Sequence, residues 1–170
     1  MIAIINASPL IYMGKIGSLQ LFPIIFTHCY TTLLVKEEVL RKEQTPSFIA
    51  LDAAFSGWLN IKEPSYSDLK QKLENMQIHS GEASIIALGK ELKDNGMENV
   101  IIIDDLAARE IARTLELKIT GTIGVILRAM RLELITKEKC REYVQALVEN
   151  TDFRISATLY SKVLKEIEDF

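Results

Sequence analysis

The sequence predicts a three-layer α/β fold, in which a central and mainly parallel sheet is flanked by helices. Short apolar runs alternate with longer segments whose apolar residues recur at helical spacing, over the whole length of 170 residues. The apolar run at residues 100–103 has no polar alternation, which is expected of a strand covered on both faces. Strands that alternate with helices in this way favour a parallel sheet with helices on both of its faces.

The first half of the chain contains three predicted strands, separated from predicted helices by turn-forming residues. The run at residues 2–5 stops at Asn6, and Pro9 can open a helix because proline is tolerated in the first helical turn. Pro46 and Ser47 start another helical stretch. The predicted strands are residues 2–5, 29–31 and 59–62, and the predicted helices are residues 9–12, 33–41 and 48–55.

The second half has clearer helical periodicity. Cys140, Tyr143, Val144, Leu147 and Val148 follow the i, i+3, i+4, i+7, i+8 spacing of one helix face. An Asp-Asn-Gly sequence at 94–96 ends a preceding helix. The predicted strands are residues 100–103 and 118–120, and the predicted helices are residues 67–76, 80–93, 107–115, 122–131, 140–148 and 159–167.

The chain is predicted to form one domain over residues 1–170, because a length near ~150 residues usually builds a single core. No internal repeat, low-complexity tract or long linker divides it. The apolar faces of the C-terminal helices, at about residues 137–170, either complete that core or form the interface of a homodimer.

The overall charge excludes one class of function and leaves another open. The chain has 20 Lys and Arg residues against 23 Asp and Glu residues, a formal charge of −3. Domains that coat nucleic acid through bulk charge are strongly basic, so that mode is excluded, whereas a local phosphate-handling site is not. Two cysteines cannot build a disulfide framework, which favours the cytoplasm. The apolar runs are far shorter than the ~20 residues that span a bilayer, so no membrane contact is expected.

Polar residues follow the predicted strands, where parallel sheets usually bind their ligands. Asn6 follows the first strand, and Asp104 and Asp105 follow the strand at 100–103. Two adjacent carboxylates at the end of a buried strand must be solvated, paired or bound to a cation. The simpler alternative is that Asp105 caps the next helix and Asp104 faces water.

Two glutamates begin or border helices that follow predicted strands. Glu82 lies in the first turn of its helix, at the edge of an apolar face, where an interaction with the helix dipole would explain it by itself. Glu38 borders the apolar stripe of the helix at 33–41, and periodicity alone places Glu37 equally well. Taken together with Asn6 and the aspartates, these oxygens suit Mg²⁺ or Mn²⁺, and two such ions promote phosphodiester cleavage.

The chain resembles a PIN domain, a compact metal-dependent nuclease fold, and is similar to a prokaryotic branch of PIN-like proteins related to toxin–antitoxin ribonucleases. The resemblance extends over nearly the whole chain. The matching segments are Asn-Ala-Ser-Pro-Leu-Ile at 6–11, Glu-Glu-Val at 37–39, Gly-Glu-Ala-Ser-Ile-Ile at 81–86, Ile-Ile-Asp-Asp-Leu-Ala-Ala-Arg at 102–109 and Thr-Gly-Thr-Ile-Gly-Val at 120–125.

The resemblance assigns catalytic and metal-binding roles to particular residues. Glu38 matches the second acid of the family, Glu82 the third and Asp105 the fourth, with Asp104 as an alternative or additional ligand. Asn6 stands where the family usually has its first aspartate. An asparagine offers a neutral carbonyl oxygen and removes one negative charge from the cation site.

Substrate contacts are expected from Ser8 and Arg109, with simpler alternatives for both. Ser8 also suits a turn, and Arg109 could pair with carboxylates, as could Lys36, Arg41 and Lys42. His79 is interpreted as a residue at a helix start in preference to a general base.

The resemblance implies a Mg²⁺- or Mn²⁺-dependent ribonuclease that hydrolyses RNA, as the toxin of a toxin–antitoxin pair with a small antitoxin-like partner. The alternative is a weakened or inactive PIN-like binding protein, because Asn6 replaces the usual aspartate. A response-regulator receiver is disfavoured, because its paired acids follow the first strand and Asp104 and Asp105 come late in this chain.

Overall fold

A computed structural model describes residues 1–41 and 46–170. The strands of the described chain are β1 (Ile2–Ile5), β2 (His28–Thr31), β3 (Leu59–Ile61), β4 (Asn99–Ile102) and β5 (Ile119–Thr120). The helices are α1 (Ala7–Lys15), α2 (Leu21–Ile25), α3 (Leu33–Val39), α4 (Pro46–Ser56), α5 (Ser67–Asn75), α6 (Ser80–Asp94), α7 (Leu106–Thr114), α8 (Thr122–Arg131), α9 (Lys137–Glu149) and α10 (Ala157–Asp169).

The five strands form one parallel sheet in the order β3-β2-β1-β4-β5. β1 lies at its centre, where Ile4 pairs with Tyr30 of β2 on one side and with Ile101 of β4 on the other. The chain builds the sheet outward from β1 to β3, then returns to the other side of β1 for β4 and β5. The strand order therefore reverses at the carboxyl ends of β1 and β4, which is where ligands bind in open α/β sheets.

The core lies on both faces of this sheet. All four residues of β4 are buried, as are the last three residues of β1, so both strands are covered by helices above and below. Nine of the fifteen residues of α6 are buried, because small side chains allow this helix to approach the sheet closely. A Cβ added at Gly89 would lie only 2.6 Å from Ile101 Cδ1, so the contact between α6 and β4 requires glycine there.

The C-terminal helices pack into this same core. Cys140, Val144 and Leu147 of α9 are fully buried, and Val163 and Ile167 of α10 join the same hydrophobic cluster. The periodic residues of α9 thus form its buried face.

The structure confirms the predicted fold class, and the predicted strands and helices are present with boundaries that differ by a few residues. The sheet is entirely parallel. No helix is predicted at α2, because five residues that include Pro23 are too few to show a helical period. Lys42 lies outside the described residues. Among the described helices, none is both long enough and apolar enough to cross a membrane.

Candidate active site

A polar cavity of about 390 Å³ lies at the reversal of strand order. Loops and helix ends from four parts of the chain converge there, since the carboxyl ends of parallel strands share one edge of the sheet. The lining residues are Asn6, Ser8, Glu38, Gln77, Ile78, His79, Glu82, Asp105 and Ala107.

Asn6 ends β1 and is only 4% exposed. Its backbone N–H donates to the carbonyl oxygen of Ile102 at 3.0 Å, which fixes it beside β4. Asn6 is the N-cap of α1, yet its side chain makes no capping hydrogen bond, and Pro9 at the third helical position has no N–H to offer. The side-chain oxygen Oδ1 is buried and has no hydrogen-bond partner among the described residues. A buried acceptor without a donor is costly, so this oxygen is suited to a ligand.

Glu38 reaches the cavity from the last turn of α3 and lies against the start of α6. A Cβ added at Gly81 would lie 3.3 Å from Glu38 Oε2, so glycine at this position leaves room for the carboxylate. The two helices are joined by the buried hydroxyls of Thr32 and Ser84, whose oxygens are 2.7 Å apart. Glu37 is exposed and does not line the cavity, so the structure distinguishes the two glutamates that periodicity left equal.

Glu82 lies in the first turn of α6 and lines the cavity. Burial raises the pKa of its carboxyl group above the ordinary value, and the nearby charges of Asp105 and Glu38 raise it further. His79 opposes this increase through its charge and through its backbone N–H, which hydrogen-bonds the carboxylate. The carboxylate of Glu82 is therefore less stable as an anion than an ordinary glutamate, because burial removes part of its hydration and the neighbouring carboxylates add negative charge.

Asp105 is the N-cap of α7 and also lines the cavity. Its Oδ1 accepts a hydrogen bond from the backbone N–H of Ala108 at 2.8 Å, and the residue is exposed. The capping role that the sequence offered as an alternative is thus present, and it leaves the second carboxylate oxygen for other contacts.

Asp104 has different surroundings, and it does not face water as that alternative supposed. Its Oδ2 accepts a hydrogen bond of 2.6 Å from the hydroxyl of Thr122, and its Oδ1 accepts one of 2.8 Å from the backbone N–H of Thr122. Burial raises the pKa of Asp104, while these two hydrogen bonds and the charge of Arg109 oppose the increase. Asp104 is not among the residues that line the cavity.

The residues expected to contact substrate are placed differently from each other. Ser8 lines the cavity, in the first turn of α1. Arg109 does not, and its Nη1 donates to the backbone carbonyl of Ile103 at 2.9 Å. Lys36 lies over the ring of Phe55, with its Nζ 5.3 Å from the ring centre. His79 is the N-cap of α6, as predicted, and also lines the cavity.

Several lining residues were not singled out from the sequence. Gln77 and Ile78 belong to the turn between α5 and α6, and Ala107 lies in the first turn of α7. Gln77 and Ile78 lie in no motif that could have indicated the cavity, and Ala107 lies within the matching segment at 102–109 without having been assigned a role. The role of Thr122 in holding Asp104 was missed as well, because 18 residues separate the two partners.

The oxygen atoms around the cavity suit the hard divalent cation that the sequence suggests. The lining residues offer three carboxylates, and the unpartnered Oδ1 of Asn6 provides a neutral oxygen, the chemistry that Mg²⁺ and Mn²⁺ prefer. Across residues 1–41 and 46–170, no three Asp, Glu, His or Cys side chains are close enough together to hold one metal ion. The lining residues therefore have the oxygen ligands that a hard cation prefers, including the unpartnered oxygen of Asn6. Their carboxylates are spread around the cavity wall and are not gathered at one point.

The protein is therefore a parallel α/β domain with an acidic cavity where the strand order reverses, which is the usual position of a ligand site in such folds. A family model described as a PIN domain, DUF3368, matches residues 2–169, so the chain belongs to this PIN-domain family and the predicted resemblance is confirmed. PIN domains are generally nucleases that use Mg²⁺ or Mn²⁺. A search of curated proteins found no match.

Proposed function

We propose that this protein is a Mg²⁺- or Mn²⁺-dependent ribonuclease that hydrolyses RNA phosphodiester bonds at the acidic cavity. The observation that carries the proposal is the side chain of Asn6, which lines the same cavity as Glu38, Glu82 and Asp105 and whose buried oxygen has no partner in the described part of the chain. Membership of a nuclease family supports the same chemistry. The acids come from three separate helix ends, a convergence that packing of the core does not require.

Glu38, Glu82 and Asp105 would supply carboxylate ligands from the cavity wall, and Asn6 would contribute its carbonyl oxygen. Because the described residues hold no preformed group of three such ligands, these side chains would move towards one another when the cation binds. When bound, the cation supplies positive charge that polarises a phosphodiester and lowers the pKa of water. The three carboxylates alone repel a phosphate. Burial, with a smaller contribution from the charges of Asp105 and Glu38, raises the pKa of Glu82. Asp105 is held in position by Ala108, and Ser8, which lines the cavity, would donate its hydroxyl to a phosphate oxygen.

The test is cleavage of a mixed-sequence RNA with Mg²⁺ or Mn²⁺ by the wild type and by Glu82→Gln. Mutating a residue that only hydrogen-bonds to a metal ligand usually reduces metal affinity or activity ~10–100-fold. Glu82 would bind the metal directly, so we expect its loss to reduce cleavage at least ~100-fold. The matched control is Glu110→Gln on α7, an exposed residue paired with Arg113, which we expect to cleave at the wild-type rate. Equal background activity in all three proteins would disprove the proposal.

A second candidate is a PIN-like binding protein with weakened or absent catalysis, which the replacement of the usual first aspartate by Asn6 favours. Calorimetric titration with Mn²⁺ separates the two candidates. A protein that binds Mn²⁺ through Glu82 and does not cleave RNA supports the second, whereas cleavage supports the first.

The proposal extends to the setting of a toxin in the cytoplasm, held inactive by a small antitoxin-like protein, and to a homodimer. Leu106 supports a protein partner, since it follows Asp105 directly and is 77% exposed beside the cavity. Co-expression with the product of an adjacent small gene, followed by size-exclusion chromatography and light scattering, tests both associations. A monomer that no such product inhibits contradicts them.

A further inference from the structure

The cavity has few groups that could attract an RNA strand. Among the described residues that line it, none is a lysine or an arginine. The described lining groups that can donate a hydrogen bond from a side chain are Ser8, Gln77, His79 and Asn6. A cation can neutralise the carboxylates, but it cannot distinguish one nucleotide from another, so selection of the RNA sequence would come from such hydrogen-bonding groups.

Gln77 occupies an unusual backbone position at the wall of this cavity. It follows the C-cap of α5 and has a φ of +65°, in the left-handed region that glycine adopts without strain. Its N–H donates to Glu74 and the N–H of Ile78 donates to Leu73, which is the hydrogen-bond pattern of a Schellman motif. This turn places an exposed glutamine between α5 and α6 at the cavity.

Four other helix ends in the described chain have the same pair of hydrogen bonds and allow the position to be judged. Gly17 and Gly96 occupy two of them, and Glu116 and Glu133 occupy the others with positive φ. A non-glycine residue at such a turn is therefore not by itself a sign of function in this protein. Of these five residues, Gln77 is the one that lines the cavity.

The side-chain amide of Gln77 carries a donor and an acceptor side by side. This combination matches the edge of a nucleobase, whereas a phosphate is better matched by a cation. Single-stranded RNA is recognised mainly through the edges of splayed bases. Cleavage at the acidic cavity would bring a neighbouring base within reach of the turn that holds Gln77.

We propose that Gln77 is a specificity-determining residue that hydrogen-bonds the edge of a nucleobase next to the phosphate bound at the acidic cavity. The inference rests on the proposed function for its substrate, and it adds a contact that acts on binding and on sequence preference. The left-handed turn fixes the direction of Gln77 at a cost in stability. This cost can be measured by thermal melting, independently of RNA binding.

The experiment measures binding of fluorescently labelled single-stranded oligo(A), oligo(C), oligo(U) and a G-containing RNA by anisotropy. Ca²⁺ serves as the hard cation, and separate cleavage assays use Mg²⁺ and Mn²⁺. The proteins are the wild type, Gln77→Ala, Gln77→Gly and the control Glu133→Gly. Glu133 follows the ten-residue helix α8, whose start lies at the carboxyl edge of the sheet. Glu133 is therefore roughly 15 Å from that edge, measured along the helix.

We expect the wild type to prefer one base, and both Gln77 variants to bind that RNA about tenfold more weakly and to lose the preference, since one hydrogen bond is removed. Glu133→Gly should bind RNA like the wild type. Gln77→Gly and Glu133→Gly should both melt about 2–4 °C higher, because glycine relieves the left-handed strain. A variant that is more stable and binds RNA less tightly shows that the side chain of Gln77 contacts RNA.

Three results would overturn the inference: no base preference in the wild type, unchanged binding by both Gln77 variants, or an equal loss of affinity for every RNA. The last would indicate a contact with the RNA backbone. Failure of the proposed function is a different result, namely absence of cleavage in Mg²⁺ and Mn²⁺ by a wild type that still binds RNA in a base-dependent manner through Gln77.

Discussion

Asp104 and Asp105 are neighbours in the chain and follow the same strand, yet their surroundings are opposite. Both oxygens of Asp104 accept hydrogen bonds from Thr122, and this carboxylate joins the end of β4 to the start of α8. Asp105 is exposed, caps α7 and lines the acidic cavity. Successive side chains point to different sides where an extended chain leaves a sheet, so a pair of acids can divide structural and chemical roles.

The largest difference between the two aspartates is expected when each is replaced by asparagine. Asp105→Asn preserves the cap, because asparagine caps helices as well as aspartate, but removes a charge from the cavity, so we expect RNA cleavage to fall at least ~100-fold. Asp104→Asn can keep both contacts with Thr122 and should retain cleavage within a few-fold. Rates measured with saturating Mg²⁺ decide the matter, and an equal loss in Asp104→Asn would make Asp104 a ligand as well.

The structural side of the comparison is tested at Thr122. Thr122→Val removes the hydroxyl that donates to Asp104 Oδ2 and leaves a buried carboxylate with one partner fewer. Hydrogen bonds to charged groups contribute about 1.5–3 kcal/mol, so we expect the free energy of unfolding in urea to fall by about 2 kcal/mol. Thr122→Ser keeps the hydroxyl and is the control. If the two variants are equally stable, the hydroxyl does not hold Asp104.

The role of the cavity as a cation site is tested by restoring a negative charge at Asn6. Asn6→Asp places a carboxylate where an oxygen now lacks a partner, so we expect Mn²⁺ to bind about tenfold more tightly in calorimetry, within the range that groups around a metal usually contribute. The metal-free variant should melt at a lower temperature, since the added charge is buried. Unchanged affinity would place Asn6 outside the cation site.

The smallest expected effect concerns the proton of Glu82. The pKa of this carboxyl is raised in the folded protein, so the folded state is most stable, relative to the unfolded chain, below the ordinary value of 4.5 and loses stability as pH rises through the raised pKa. Glu82→Gln cannot ionise and should exceed the metal-free wild type in stability at neutral pH, by about 0.5–2 kcal/mol as is usual for stabilising substitutions.

The difference between Glu82→Gln and the wild type should vanish as pH falls toward that ordinary value. Urea unfolding at several pH values in EDTA measures it, with Glu110→Gln on the surface as the control. A difference that stays constant with pH would mean that titration of Glu82 is not its cause.

Much of the fold follows from local patterns. The central strands β1 and β4 are short and wholly apolar, and the heptad-like spacing of α9 identifies its buried face, because burial itself selects those residue types. The helix α2 escaped prediction because five residues containing a proline have no period to read. Packing against the core, with Leu21 and Phe22 buried, holds this segment in place.

The site was predictable in part for a similar reason. Asn6, Glu38, Glu82 and Asp105 each stand at a strand or helix end, and parallel topology brings such ends to one edge. Gln77 had no such mark. The hydrogen bonds of its turn are local to the end of α5, but its place beside the cavity depends on how α5 packs against α6. The choice between Glu37 and Glu38 also required the rotation of α3 against its neighbours.

The sequence by itself determined the class of fold, the order of its strands and helices and the set of polar residues at their ends, because hydrophobic periodicity and turn chemistry act over a few residues. Only the tertiary structure decided which of two adjacent aspartates faces the cavity, since Thr122 lies 18 residues beyond Asp104 and meets it through the pairing of β4 with β5. Contacts over such separations depend on how the strands are arranged. That arrangement holds Asp104 against Thr122 and leaves Asp105 at the cavity.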